Sequence, residues 1–246
     1  MATSPTGLMK LLTRPTYVDF YLNKTAAKTT SLSGHYKTQD NTGTPYYTFK
    51  FATHEGFQYS TETGLRPFIE DLYGRTGTEN VERIALFDDN ERDYDLTTYD
   101  GDISVAQRGS VFVRGPTGDD GANIYINTSS MSVGNLTTSN YVVKKGDFIS
   151  PRGTGDNYMY TYQVTEDVTF SAGVQQASIR IPVNRDVIAQ ANASLNSNTS
   201  PTYSGGLKFG TDVRFDVKIT KLPTYSILPG DRVRFNGDFE MIEVIL

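Results

Sequence analysis

The chain has 246 residues, 37% of them hydrophobic and 21% charged, with a formal net charge of −5; this composition suits a folded core and argues against a surface built to neutralise phosphates. It contains no Cys and two histidines, His35 and His54, which excludes disulfide frameworks, thiolate metal sites and cysteine nucleophiles. The length admits one large domain or two linked ones.

In the opening segment, MATSPTGLMKLLTRP, the apolar run is interrupted by Lys10. It falls short of a signal h-region and of the roughly 20 residues a membrane helix needs. The expectation is a soluble product made in the cytoplasm, with no membrane partner. From there, short runs of alternating apolar and polar residues, separated by Gly, Asn, Asp and Pro, predict strands at 17–22, 46–52, 83–87, 110–115, 123–128, 158–164, 177–183, 213–220, 232–237 and 239–246. The 16 Tyr and 13 Phe residues suit pleated surfaces, where flat rings pack well.

One segment has a different period. In STETGLRPFIEDLYGR, residues 60–75, possible Ser and Thr caps precede Pro67, apolar Leu65, Phe68, Ile69, Leu72 and Tyr73 recur at helical spacing, and Gly74 follows as a stop. The spacing predicts a short amphipathic helix laid over a sheet, with Phe68, Ile69 and Leu72 in the core.

The stretch 189–206, rich in Ser, Asn, Thr and Gly, reads as a loop or linker. Residues 144–170 read as strand, glycine-rich turn, strand, and the five strands this makes between 104 and 183 would fit a small closed barrel of the oligonucleotide/oligosaccharide-binding type. The expected organisation is therefore mainly β. Residues 1–95 with 205–246 form a discontinuous β-sandwich carrying the helix, 96–190 an inserted small barrel, and 191–204 a linker.

Chemistry-bearing constellations are sparse. There is no G-x-S-x-G nucleophile elbow and no phosphate-binding glycine loop. The acidic run at 88–96 lacks the glycine and closing Glu of a calcium loop, and GPTGDDGAN (115–123) reads as a hairpin connection. Five carboxylates beside strands, Asp147, Glu166, Asp167, Asp231 and Glu243, are the candidates for an acid and base pair of a glycoside hydrolase. KKGDF at Lys144 and LPGDRVRFNGDF at Leu228 share a Gly-Asp cue, in which Gly takes a positive φ and Asp bonds nearby backbone. No cofactor or metal is expected, and the chain reads as a non-enzyme.

The order of short elements resembles the distal tail and baseplate ring proteins of tailed bacteriophages. It comprises Leu32-Ser33-Gly34 before the aromatic strand YYTFKF, the helix ending FIEDLYGR, and the strand RIALF. The turn Gly146-Asp147-Phe148, the strand YTYQVTEDV, Ile181-Pro182, and a last strand FEMIEVIL with Glu243 follow. The chain differs from the pattern in its longer link YGRTGTENVE and in lacking Trp. The resemblance implies a tail-tube-like β-sandwich with a projecting barrel, assembled as a homohexameric ring in the virion. Its partners would be further copies of itself, the tail tube and baseplate hub proteins, with DNA only passing through the lumen. On this reading Arg66, Glu70 and Arg75 are candidate inter-subunit contacts, and Arg152 and Asp156 belong to an exposed barrel loop. The alternative is a carbohydrate-binding or adhesin module for host attachment.

Overall fold

Where apolar and polar residues alternate, a pleated backbone lays the apolar set on one face. The computed structural model of the chain describes residues 8, 11, 12, 15–24, 26–30, 36–40, 44–54, 57–60, 65–74, 82–86, 96, 97, 99–104, 111–114, 121–126, 140–151, 160–171, 179–188 and 203–245. In order these form strands β1 (Pro15–Asn23), β2 (Ala26–Thr30), β3 (Tyr36–Asp40), β4 (Tyr46–Thr53) and β5 (Phe57–Gln58), then helix α1 (Arg66–Gly74). There follow β6 (Glu82–Ile84), β7 (Phe112–Arg114), β8 (Asn123–Ile126), β9 (Asn140–Val143), β10 (Phe148–Pro151), β11 (Tyr162–Gln163), β12 (Val168–Ser171) and β13 (Ile179–Pro182). The last are β14 (Tyr203–Phe209), β15 (Phe215–Lys221), β16 (Thr224–Leu228), β17 (Arg232–Asn236) and β18 (Phe239–Glu243). The fold is mainly β, in antiparallel sheets with a short helix.

Two units divide the chain, Met1–Tyr94 with Phe215–Leu246 and Asp95–Arg214. The first unit holds a five-stranded sheet, β1-β4-β18-β15-β6, a three-stranded sheet, β16-β17-β5, and the hairpin β2-β3. On β4 the inward set is Tyr47, Phe49 and Phe51; β18 adds Phe239 and Met241, and β15 adds Phe215, Val217 and Ile219, all buried. The rings interlock. Phe49 and Tyr47 meet Phe215 edge-on with centroids 5.1 and 5.3 Å apart, and Phe51 stacks on Phe239 at 4.8 Å. Phe235 of β17 meets Phe239 at 5.1 Å, which ties the smaller sheet to this core. Such edge-on and offset pairs add about 0.5–1.5 kcal/mol each beyond the area they bury.

Helix α1 begins where Leu65 N–H bonds the carbonyl of Gln58 and Ile69 N–H bonds that of Leu65. Of its three expected core residues, Ile69 is buried, while Phe68 and Leu72 are half-buried. Tyr73 completes the packing, its ring edge-on to Tyr225 at 4.8 Å and its hydroxyl donating to the carbonyl of Pro223. Burial pushes the Tyr73 phenol up to about 12. Near the start of the chain, Leu8, Leu11 and Leu12 are buried and Leu12 N–H donates to Leu8 O at 3.1 Å. The apolar run that was too short for a membrane has the i, i+3, i+4 spacing of a core-facing helical turn.

The second unit holds a six-stranded sheet, β11-β10-β14-β7-β8-β13, and the pair β12-β9. Beyond its two end strands, Val164 and Val183 form an antiparallel bridge. It is flanked by bonds from Thr165 N–H to Pro182 O at 3.0 Å and from Asn184 N–H to Gln163 O at 2.9 Å. The core is mainly aliphatic, with Ile124, Ile126, Val143, Ile149, Val164, Ile181 and Leu207 among its members.

Here the structure departs from the expected boundaries. Residues 203–209 are neither linker nor part of the discontinuous domain, because β14 lies between β10 and β7 inside the six-stranded sheet. Its first half, Tyr-Ser-Gly-Gly, has linker composition, and its pairing with β7 shifts register between Tyr203 and Gly206. In its second half Leu207 and Phe209 are buried on either side of the half-buried Lys208, the alternation of a strand with one buried face. Strand β10 is the first strand of the strand, glycine-rich turn, strand reading of 144–170; all four of its residues are buried, so it shows no alternation.

Candidate interaction surfaces

The helix carries two of the three candidate contact residues, Arg66 and Glu70. Arg66 and Glu70 lie one helical turn apart, and Arg66 Nε donates to Glu70 Oε1 at 2.7 Å with both side chains about half exposed. The Arg66 guanidinium also lies over the Tyr59 ring, 5.8 Å from its centroid. The bond to Glu70 holds the guanidinium charged to still higher pH than usual. Arg66, Glu70 and Tyr59 thus form one polar patch, positioned because Ile69 and Tyr73 anchor the neighbouring stripe of the helix. Arg75 lies outside the described residues, as do Arg152 and Asp156 of the expected barrel loop, His35 and the acidic run from 88 to 95. His54 is exposed at the end of β4.

The outward face of the five-stranded sheet carries a second surface. Register places Asp19 beside Lys50, Lys50 beside Glu240 and Glu240 beside Lys221, so one row across four strands alternates in sign. Lys221 Nζ lies 2.8 Å from Glu240 Oε1, and Lys50 Nζ 3.1 Å from Asp238 Oδ2. The hydroxyl of Tyr17 donates to Asp238 Oδ1 at 2.5 Å. That bond pushes the Tyr17 phenol up to about 12 and, with Lys50, holds the Asp238 carboxyl below its ordinary range. Opposite charges directly across a ladder favour this register over a slipped one. Tyr21, 57% exposed, extends the aromatic edge of the same face along β1.

Among the acid and base candidates, the two buried carboxylates each bond backbone. Asp147 is 1% exposed, and its oxygens accept the N–H groups of Asp100 at 2.6 Å and Lys144 at 2.8 Å. Burial pushes its carboxyl up, and the two N–H groups oppose that shift. Glu243 accepts the N–H of Tyr47 at 3.0 Å, at the end of the β18–β4 ladder. Glu166 and Asp167 are exposed on the loop after β11, and Asp167 accepts Lys145 N–H at 2.7 Å. Asp231 is exposed at the tip of the β16–β17 hairpin with φ of 53°.

The stretch around KKGDF is therefore a clamp of three loops. Gly146 takes a φ of 100°, which lets Lys144 and Asp147 close a turn, with Asp147 N–H bonding Lys144 O at 3.1 Å. Asp102 accepts Val142 N–H at 2.7 Å, and its neighbour Gly101 is pressed against that strand. A Cβ there would lie 2.4 Å from Val142 O. The cue Gly-Asp recurs in sequence, but the aspartates do different things. Asp102 and Asp147 hold backbone, Asp238 holds Tyr17 and Lys50, and Asp231 forms a hairpin tip. Sequence reading missed Asp102, Tyr17 and Asp238 because their partners are distant in the chain; 221 positions separate Tyr17 from Asp238. No protein-family model and no curated protein matches the chain.

Proposed function

We propose that the chain is a structural subunit of a tailed-bacteriophage virion. It forms a ring, six-fold in copy number, at the distal tail or baseplate, where it joins the tail tube to tail-tip components. The observation that supports this best is the interrupted architecture. One unit is assembled from both ends of the chain, pairing a five-stranded and a three-stranded sheet with a helix. We read it as a tail-tube-like sandwich, and the second unit, whose end strands meet through the Val164–Val183 bridge, as a small inserted barrel.

Ring closure needs two different patches on each subunit that meet head to tail. The helix patch of Arg66, Glu70 and Tyr59 is one such surface. The open sheet face is a suitable lumen wall, because Lys50 and Lys221 are each engaged by a carboxylate. DNA passing a charge-matched wall meets little net attraction.

Native mass spectrometry tests the reading. A single dominant species at six times the 27.3 kDa chain mass is the expected result, with Arg66→Glu shifting the population toward smaller species. A protein that stays monomeric and binds a defined sugar on a glycan array would instead support the carbohydrate-binding alternative.

A further inference from the structure

The motif LPGDRVRFNGDF holds the chain's one Asn-Gly step, Asn236-Gly237. It falls at the corner between β17 and β18, where the chain leaves the three-stranded sheet for the five-stranded one. Asparagine is a chemically labile residue, and it is most so ahead of glycine, because no Cβ hinders the approach of the glycine nitrogen to the asparagine side chain.

The corner leaves this step open. Asn236 ends the β16–β17 ladder opposite Thr224, and both Asn236 and Gly237 are exposed. Gly237 has a φ of 118°, and the atom nearest to a Cβ built on it lies 3.7 Å away on Pro223. Among the described residues no acceptor holds the Gly237 N–H. The Asn236 amide makes an exposed bond from Nδ2 to Ser226 Oγ at 3.1 Å. Asp100-Gly101 offers the same chemistry on a carboxyl, but in a crowded place. A Cβ at Gly101 would lie 2.4 Å from Val142 O and 2.5 Å from the Tyr99 hydroxyl, and Asp147 holds the Asp100 N–H at 2.6 Å. The backbone there cannot turn onto its own side chain without displacing β9.

We propose that Asn236-Gly237 is a self-modifying site, ageing to aspartate and isoaspartate in the folded protein, and that isoaspartate there detaches Asp238 from β1. The Gly237 nitrogen gives up its proton and attacks Asn236 Cγ. The new C–N bond closes a cyclic imide, and the amide nitrogen leaves as ammonia with that proton restored from water. Water then opens the imide. Breaking the bond to Cγ leaves aspartate; breaking the bond to the main-chain carbonyl carbon leaves isoaspartate, whose backbone runs through Cβ and Cγ. The added main-chain carbon lies two residues before Asp238, whose carboxylate holds Tyr17 and Lys50.

The inference does not rest on ring formation. The full chain is incubated at neutral pH, folded and in urea, and the tryptic peptide 235–246, in which Asn236 is the one amide side chain, is followed by mass spectrometry. Enzymatic methylation counts the isoaspartate. Asn236 should convert at similar rates in both states, whereas isoaspartate at Asp100, located by fragmentation, should be suppressed roughly ten-fold or more by folding. Aged protein should show one late-ionising tyrosine fewer, through loss of the Tyr17 bond. Asn236→Asp supplies the charge without the added carbon and should keep that tyrosine. Asn236→Gln, whose longer side chain closes an imide far more slowly, should block conversion and keep it too. Three results would overturn the proposal: conversion of Asn236 slowed roughly ten-fold or more by folding, equal isomerisation of Asp100 in both states, or an aged protein whose tyrosine titration matches that of Asn236→Gln.

Discussion

In the first unit β1 and β4 run to nine and eight residues, whereas in the second β10 and β11 have four and two. Long ladders satisfy their own backbone groups, and the register is held by interlocked rings on one face and alternating charges on the other. Short strands leave more backbone at their ends, and the second unit meets that demand with side chains. Asp102, Asp147 and Asp167 accept backbone N–H groups, as does Asn184 from Gln163 at 3.1 Å. The Tyr99 and Tyr162 hydroxyls accept from Ile103 and Ile188, both at 3.0 Å. Arg185, 3% exposed, donates to the carbonyl of Thr161 at 2.7 Å and lies over the Tyr162 ring. The contrast teaches where each unit is vulnerable, the first in its aromatic core and the second in its polar clamps.

Hydrogen exchange followed by mass spectrometry reads the two units separately and can break the contrast. The largest effect is expected from Phe215→Ala, which removes the ring that meets both Tyr47 and Phe49 and should cost about 3–5 kcal/mol. Exchange should accelerate in β4, β15 and β18. Acceleration confined to the second unit would refute the assignment of roles.

Next comes Asp147→Ala, which strands the N–H groups of Asp100 and Lys144 and should cost about 2–5 kcal/mol, read as faster exchange across 99–104 and 140–151. Asp147→Asn should recover only part of this, since its amide nitrogen presents a donor to a donor. Full recovery would mean that one bond suffices. Gly101→Ala, with backbone 2.4 Å from the added carbon, should cost about 1–3 kcal/mol in the same unit. A neutral outcome would show that the loop yields freely.

The smallest effect sharpens the first unit's outer face. Folded Tyr17 ionises at about 12 rather than near 10. The stability from its bond to Asp238 is therefore complete below pH 10 and lost as pH rises through about 12. Asp238, whose folded value is depressed, contributes above the ordinary aspartate range and loses that contribution as pH falls through its lower folded value. Absorbance titration should show late-ionising tyrosines, one fewer in Tyr17→Phe. An unchanged curve would remove the Tyr17–Asp238 bond from the account.

What could be read from sequence follows the same contrast. The long strands β1, β4, β15 and β18 were legible because one face is buried and the other wet, so the alternation is plain in YYTFKF and FEMIEV. Helix α1 was legible from the spacing of Leu65, Ile69 and Tyr73. In the second unit β10 is buried on both faces and β14 carries two glycines at its middle, so periodicity had little to detect. The helix patch was half legible, because Arg66 and Glu70 sit at i, i+4, whereas Tyr59 joins them through the fold. The clamp around Asp147 was visible as a turn, but its second anchor, Asp100, lies 47 positions away.

The central claim is that copies of this chain close around a common axis. Class averages from electron micrographs of the purified full-length protein test it most directly. The account predicts rings with six equal subunits and a central opening. Single particles of monomer size across the accessible concentration range, with no ring among the classes, would contradict it.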